Sequence, residues 1–331
     1  MKQIILLLLV SFKLFSQSKT AEDFGFRHIK LKFDGDSVDV LIKSKKGEEN
    51  IPKPLFFFCQ GSLPIPLIIT EENDNYGTFP FNEDTLTTLY HIAIVSKPFV
   101  PLIVDTKNLD KQFCYRDTIG KGFENYSNRN HLSYYTKRNA FVIKYLQKQK
   151  WISKNKLVLA GHSEGSSIVS EMAFRMPQVT HLIYSGGTPH GRILAMIGRS
   201  RKTESDTDST RYGEDEFKYW QDVVNNKNNL DCKKGDTYKA TYDFSYPQIE
   251  HIKKLKIPVL VCYGSKDWAA PYCDLMRVEF IRENKMNVDF KTYIGTEHNY
   301  FPLKPDGTID YSIFNWDKVA FDWFLWLKQK S

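Results

Sequence analysis

Cysteine is scarce in this chain, with five in 331 residues: Cys59, Cys114, Cys232, Cys262 and Cys273. The number is odd, so a disulfide framework cannot take in all of them within one molecule. Cys59 and Cys262 fall in apolar runs and read as small buried core residues. An exported chain could pair Cys114, Cys232 or Cys273, and their spacing does not choose among them. No Cys/His spacing matches a metal site. Beyond residue 18 no apolar run is long enough to span a bilayer. Excess charge is small: the formal net charge is +7, with acidic and basic residues interspersed. Nucleic-acid binding would need a clustered basic face with a motif, and neither is present. Internal repeats and a linker between two domains are also lacking.

What is present is core material. The hydrophobic content is 41% and the aromatic content 14%, enough for a sizeable buried interior and too much for a disordered chain. The first 18 residues stand apart. Lys2 is followed by the apolar run Ile4 to Val10 and then by Ser16-Gln17-Ser18. A positive start, a short apolar stretch and small residues at a cleavage site form the pattern of a secretory leader, and the stretch is too short for a membrane span. Lys13 interrupts its late part. The expectation is an exported protein, secreted or periplasmic, whose mature chain begins near Lys19. The expected division is a leader, 1–18, and one domain, 19–331. Removing the leader takes away Lys2 and Lys13 and lowers the charge by two.

One stretch carries most of the chemical information. Leu157 to Ala160 is an apolar run, suited to a strand buried on both faces of a parallel sheet. Gly161-His162-Ser163-Glu164-Gly165 is G-x-S-x-G, and Ile168, Val169, Met172 and Ala173 follow at helical spacing. Strand, tight turn and helix are the context in which such a serine becomes an exposed nucleophile. Glycine on both sides allows strand and helix to approach closely. The Glu164 N–H would stand at the helix N-terminus, where unpaired donors and the helix dipole favour a developing oxyanion.

Taken in order, Phe26 to Phe33 and Val38 to Ser44 alternate as an antiparallel edge hairpin joined at Asp34-Gly35-Asp36. Pro54 to Cys59 reads as a buried strand ending in Gln60-Gly61-Ser62, and His91 to Ser96 as another. Asp105 to Asn130 is polar and aromatic without clear periodicity. It contains Asn125-Tyr126-Ser127, a sequon meaningful only in a eukaryotic secretory host. Tyr134 to Gln149 is helical in pattern. His181 to Tyr184 is a strand ending in Ser185-Gly186-Gly187. Residues from about 189 to 250 break the alternation and are expected to form an inserted cap, partly helical. Within it, Ser200 to Glu216 has almost nothing apolar and is expected to be an exposed mobile loop. Asp206, Asp208 and Glu214 fit no calcium-loop spacing. Alternation resumes with a strand at Ile257–Tyr263, a helix at Pro271–Arg282, a strand at Val288–Ile294 and a helix at Trp316–Lys328. Such a chain makes a mainly parallel sheet covered by helices on both faces, an α/β architecture.

A serine hydroxyl needs a base within hydrogen-bond reach, usually a histidine oriented by a buried carboxylate. Three strand ends supply the set: Ser163, Asp267 in Gly264-Ser265-Lys266-Asp267, and His298 in Gly295-Thr296-Glu297-His298. In an open parallel sheet these groups collect at the carboxyl ends of the strands. The order serine, acid, histidine, with these flanking motifs, resembles α/β-hydrolase-fold serine hydrolases over roughly residues 54–328. The resemblance implies a catalytic Ser163–Asp267–His298 set that needs no cofactor and no metal. It also implies an oxyanion hole made by the backbone N–H groups of Ser62 and Glu164. One departure is Gln60, where the family often has histidine before the glycine; a backbone donor does not need that histidine. Glu297 is the rival acid, but adjacent residues on an extended chain face apart, so it is expected to be solvated. Trp268, Tyr300 and Phe301 flank the site and either line an acyl pocket or belong to the core.

Three functions compete. The first is hydrolysis of a small-molecule ester or related acyl bond through an acyl-serine, as in esterases and thioesterases. The second is a peptidase of the same fold, acting on short peptides. The segment before Pro54 is too short for the propeller of prolyl-oligopeptidase architectures. The third is a non-catalytic binding protein on a hydrolase scaffold, which the presence of all three residues disfavours.

Overall fold

The computed structural model describes residues 19–72, 74–115, 121–205 and 209–330. The expected leader lies outside them, as do Asp206 and Asp208. Among the described residues the main sheet has eight strands. They are β1 (Arg27–Phe33), β2 (Asp36–Lys43), β3 (Lys53–Cys59), β4 (His91–Val95), β5 (Ile152–His162), β6 (His181–Ser185), β7 (Val259–Gly264) and β8 (Val288–Tyr293). Their spatial order is β1-β2-β4-β3-β5-β6-β7-β8. Only the pairings made by β2 are antiparallel; the others are parallel. The β1–β2 hairpin pairs Phe33 with Asp36. Both intervening residues, Asp34 and Gly35, have positive φ (52° and 83°), as a two-residue turn matched to strand twist requires.

The apolar strands divide their side chains between two faces by the period of two. Leu55, Phe57, Leu157, Leu159, Leu182, Val259 and Val261 enter one core. Phe56, Phe58, Val158, Ala160, Ile183, Leu260 and Cys262 enter the other. The first face is covered by α1 (Leu132–Leu146), α2 (Glu164–Arg175) and α6 (Ala270–Arg282). The second is covered chiefly by α7 (Trp316–Gln329), whose Trp323 lies against Phe56, Phe58 and Phe81. Each of these buried phenylalanines contributes roughly 1.5–3 kcal/mol of transfer free energy.

The insertion between β6 and β7 contains α3 (Arg192–Thr203), α4 (Tyr212–Asn225) and α5 (Tyr238–Phe244). A two-rung hairpin pairs Cys232–Lys233 with Asp236–Thr237. Tyr219, Val223 and Tyr238 form its small private core. The expectation of an open loop over Ser200 to Glu216 needs correction. Its first residues end α3 and its last begin α4. The polar side chains at its two ends belong to helices, which are linked by Arg201 to Glu214 and by Glu204, whose carboxylate accepts the Gly213 N–H at 2.8 Å. A second departure is an unforeseen three-stranded sheet, in the order Asp74–Tyr76, Ile68–Glu71, Ile103–Asp105. It stands beside the carboxyl end of β3. No disulfide joins the five cysteines; Cys59, Cys114, Cys262 and Cys273 are buried and Cys232 is exposed. Among the described residues no helix is long and apolar enough to cross a membrane.

Candidate active site

The turn from β5 into α2 places Ser163 at φ 56°, ψ −123°, a conformation that side-chain-bearing residues rarely adopt. The two flanking glycines make it possible. A Cβ on Gly161 would stand 2.2 Å from the Gly165 carbonyl oxygen, and one on Gly165 would stand 2.1 Å from the Cys59 carbonyl oxygen. Strand, helix and the end of β3 are therefore in backbone contact. A strained turn at an apex is held by its surroundings, and here the Ser163 N–H also donates to Ser185 O at 2.9 Å.

The residues after β7 and β8 reach the same edge. His298 Nε2 lies 2.9 Å from Ser163 Oγ, and His298 Nδ1 lies 2.8 Å from Asp267 Oδ2. Asp267 is fully buried, and its other oxygen accepts the Ala269 N–H at 3.0 Å just ahead of α6. It thus serves as a helix-entry acceptor and as the partner of His298. With Asp267 as a carboxylate, Nδ1 carries the imidazole proton and Nε2 is left to accept from the serine hydroxyl.

Glu297 does not approach the imidazole as its acid. It is half-buried rather than solvated, and it accepts the N–H groups of Asn299 (2.7 Å) and Phe301 (3.0 Å), closing the turn that carries His298. Burial is the main cause that raises its carboxyl above the ordinary value.

Ser62 follows Gly61, whose ideal Cβ position is 3.6 Å from the Ser163 Cβ, so this loop passes directly beside the serine. The Ser62 carbonyl accepts a hydrogen bond from the Tyr126 hydroxyl at 2.7 Å, which fixes the peptide that follows it. The Glu164 N–H, first in α2, is among the amides that a helix leaves unpaired. Gln60 precedes Gly61 in this loop. Its amide nitrogen is shielded and lacks a partner among the described residues.

Sequence reading missed the electrostatics behind the serine. The Glu164 side chain is buried between Lys97 Nζ, at 3.1 Å, and Arg192 of α3. Arg192 also binds Asp236 at 2.6 Å. Burial alone would raise the Glu164 carboxyl, but the charges of Lys97 and Arg192 outweigh it and hold it below its ordinary value. His162 was legible only as a spacer. It is buried beside His298, with ring centroids 5.0 Å apart, and its Nδ1 meets Ser185 Oγ at 3.0 Å. Burial first, and His298 second, push its ring well below the ordinary histidine value, so it is neutral. Of the three aromatics singled out, Trp268 stacks on His298 at 4.2 Å and Phe301 lines a cavity. Tyr300 is buried behind the site, against His162 and Ser185.

Two cavities open onto Ser163. One, of about 840 Å³, is walled mostly by apolar side chains, among them Phe58, Ile69, Phe79, Phe113 and Phe314. The other, of about 250 Å³, lies under the insertion and is faced by Glu164, Arg192, Lys234 and Asp236.

No family model and no curated protein matches this sequence. The fold is similar to that of Est1E from Butyrivibrio proteoclasticus, with a TM-score of 0.54 at 17% identity over 92% of this chain and 98% of that one. A second structure of Est1E, with ferulic acid bound, matches with a TM-score of 0.56. Acylaminoacyl peptidase from Pyrococcus horikoshii matches with a TM-score of 0.54 at 12% identity, over 92% of this chain and 40% of the peptidase. Porphyromonas gingivalis dipeptidyl peptidase 4 matches with a TM-score of 0.55 at 11% identity, over 92% and 35%. Together with the strand order, these likenesses define an α/β-hydrolase fold.

Proposed function

We propose that this protein is an exported serine hydrolase that cleaves an ester or related acyl bond through a covalent acyl-Ser163. The observation that carries the reading is the hydrogen-bonded line from Asp267 through His298 to Ser163, at 2.8 and 2.9 Å. In this reading Ser163 Oγ attacks the acyl carbon while His298 Nε2 takes its proton. Asp267 stabilises the imidazolium that results. The carbonyl oxygen gains negative charge and is received by the N–H groups of Ser62 and Glu164. On collapse, the bond to the leaving group breaks and His298 returns the proton to the departing oxygen. Water then attacks the acyl-enzyme with His298 again as base, freeing the acid and regenerating Ser163. No step calls for a cofactor.

An ester is favoured over a peptide by the larger cavity. Its exposed wall is mainly apolar, and peptide N–H and C=O groups set against the apolar part would lose their water partners at a cost of roughly 1–3 kcal/mol each. The test has two arms. A fluorophosphonate probe should label the mature protein at Ser163 and leave Ser163→Ala unlabelled. A panel of nitrophenyl esters and peptide anilides should then show ester turnover that falls roughly a thousandfold or more in Ser163→Ala. Unlabelled wild-type protein would leave the binding-protein reading; anilide turnover exceeding ester turnover would make it a peptidase.

A further inference from the structure

The two cavities differ in charge, and the residue where they meet is unusual. In the smaller cavity Arg192 faces Glu164 and Asp236, Lys97 faces Glu164 from behind, and Lys234 pairs with Glu216 at 3.0 Å. Those charges answer one another. Arg199, on α3, does not follow this pattern. Among the described residues its guanidinium has no carboxylate partner and no hydrogen-bond acceptor. Instead it lies over the Trp268 ring, 5.2 Å from the centroid. That ring is itself stacked on the His298 imidazole, at 4.2 Å and 28°. Arg199, Trp268, Ser62, Ser163 and His298 border both cavities.

A guanidinium set over an aromatic face has lost part of its rotamer freedom already, yet keeps its N–H donors available. Those donors match the paired oxygens of an anionic group. Away from Arg199 the larger cavity is bordered by apolar side chains such as Phe58, Ile69, Phe79, Phe113 and Phe314, which cannot replace such a group's hydration. We propose that Arg199 is a specificity-determining residue for an amphiphilic ester. The apolar half would fill the larger cavity, and a carboxylate or comparable oxyanion on the other half would be received by Arg199. The inference rests on the hydrolase reading above and gives it a substrate class.

The experiment uses the mature protein and two matched ester pairs, one charged in the acyl half and one in the alcohol half. The first pair is 4-nitrophenyl hexanoate and the mono-4-nitrophenyl ester of adipic acid. The second is phenyl hexanoate and 4-carboxyphenyl hexanoate. The quantity read is the ratio of kcat/KM, anionic over neutral, in wild type, Arg199→Met, Arg199→Lys and Arg199→Glu. Wild type should favour the anionic member of at least one pair by about tenfold, and added salt should shrink the preference, since Arg199 is exposed. Arg199→Met should remove the preference, Arg199→Lys should keep part of it, and Arg199→Glu should reverse it. A role confined to packing Trp268 against His298 would move both members together and leave the ratio unchanged. An equal ratio in wild type and Arg199→Met, for both pairs, overturns the proposal. Ser163-dependent turnover without any preference sinks the Arg199 assignment alone. Absence of Ser163-dependent turnover of every ester sinks the hydrolase reading and takes this proposal with it.

Discussion

Arg192, on the first helix of the insertion, reaches across to the buried carboxylate of Glu164, the residue directly after Ser163. Lys97, just past the end of β4, holds the same carboxylate from the other side at 3.1 Å. The insertion is thus tied electrostatically to the turn that carries the serine. Breaking one member of a buried ion cluster strands the remaining charge, at a cost of roughly 3–5 kcal/mol. Arg192→Met should therefore lower unfolding stability by about 3 kcal/mol. Combining it with Glu164→Gln should cost less than the sum of the two single losses, because either change alone already breaks the Arg192–Glu164 pair. Denaturant unfolding of the two single variants and the double variant measures this coupling; simple additivity would contradict it.

The two carboxylates near His298 should behave differently. Asp267→Asn places an N–H group where an acceptor is required and disturbs the imidazole tautomer, so kcat should fall by roughly a thousandfold. The loss should not exceed that of Ser163→Ala. Glu297→Gln keeps an oxygen for the Asn299 and Phe301 N–H groups and should change kcat by less than about threefold. The reverse ranking in steady-state kinetics would make Glu297 the acid.

Gly165 tests the backbone contact beneath the serine. A Cβ there would sit 2.1 Å from the Cys59 carbonyl oxygen, so Gly165→Ala must push α2 away from β3. A loss of about 3 kcal/mol or more is expected, at the upper end of overpacking effects. A urea midpoint equal to that of the wild type would show that the two elements do not approach so closely.

His162 sets a pH dependence of stability. Burial and the neighbouring His298 hold its folded-state value well below the ordinary histidine value of about 6.5, whereas in the unfolded chain the ring titrates normally. The contribution is fully present above pH 6.5. As pH falls below that, the unfolded state takes a proton that the folded state refuses, and stability declines toward the depressed folded value. The slope is at most about 1.4 kcal/mol per pH unit. Buried His91 and His181 and half-buried His190 act in the same direction. Denaturation between pH 7 and 5 should show this decline, and His162→Asn should make it shallower. An identical slope in the variant would mean that His162 is protonated in the folded protein.

Local pattern was enough to read the alternating strands and helices. It was also enough to single out Ser163, Asp267 and His298, because each follows an apolar strand and ends in a turn motif. Period-two burial and glycine sterics act over a few residues, so they are written into the sequence directly. The tertiary structure alone decided what depends on charges and surfaces from distant segments. Lys97, Arg192 and Asp236 look like ordinary solvated residues until folding gathers them around Glu164. The polar run from Ser200 to Glu216 read as an open loop because its ion pairs join α3 to α4 across the turn, where no short-range pattern records them. The apolar cavity is likewise built from a small sheet and loops near residues 58–80, 113 and 301–316, and each piece alone is too short to announce a wall. Pairing energies of that kind depend on distance through space and desolvation, and neither is a property of neighbours along the chain.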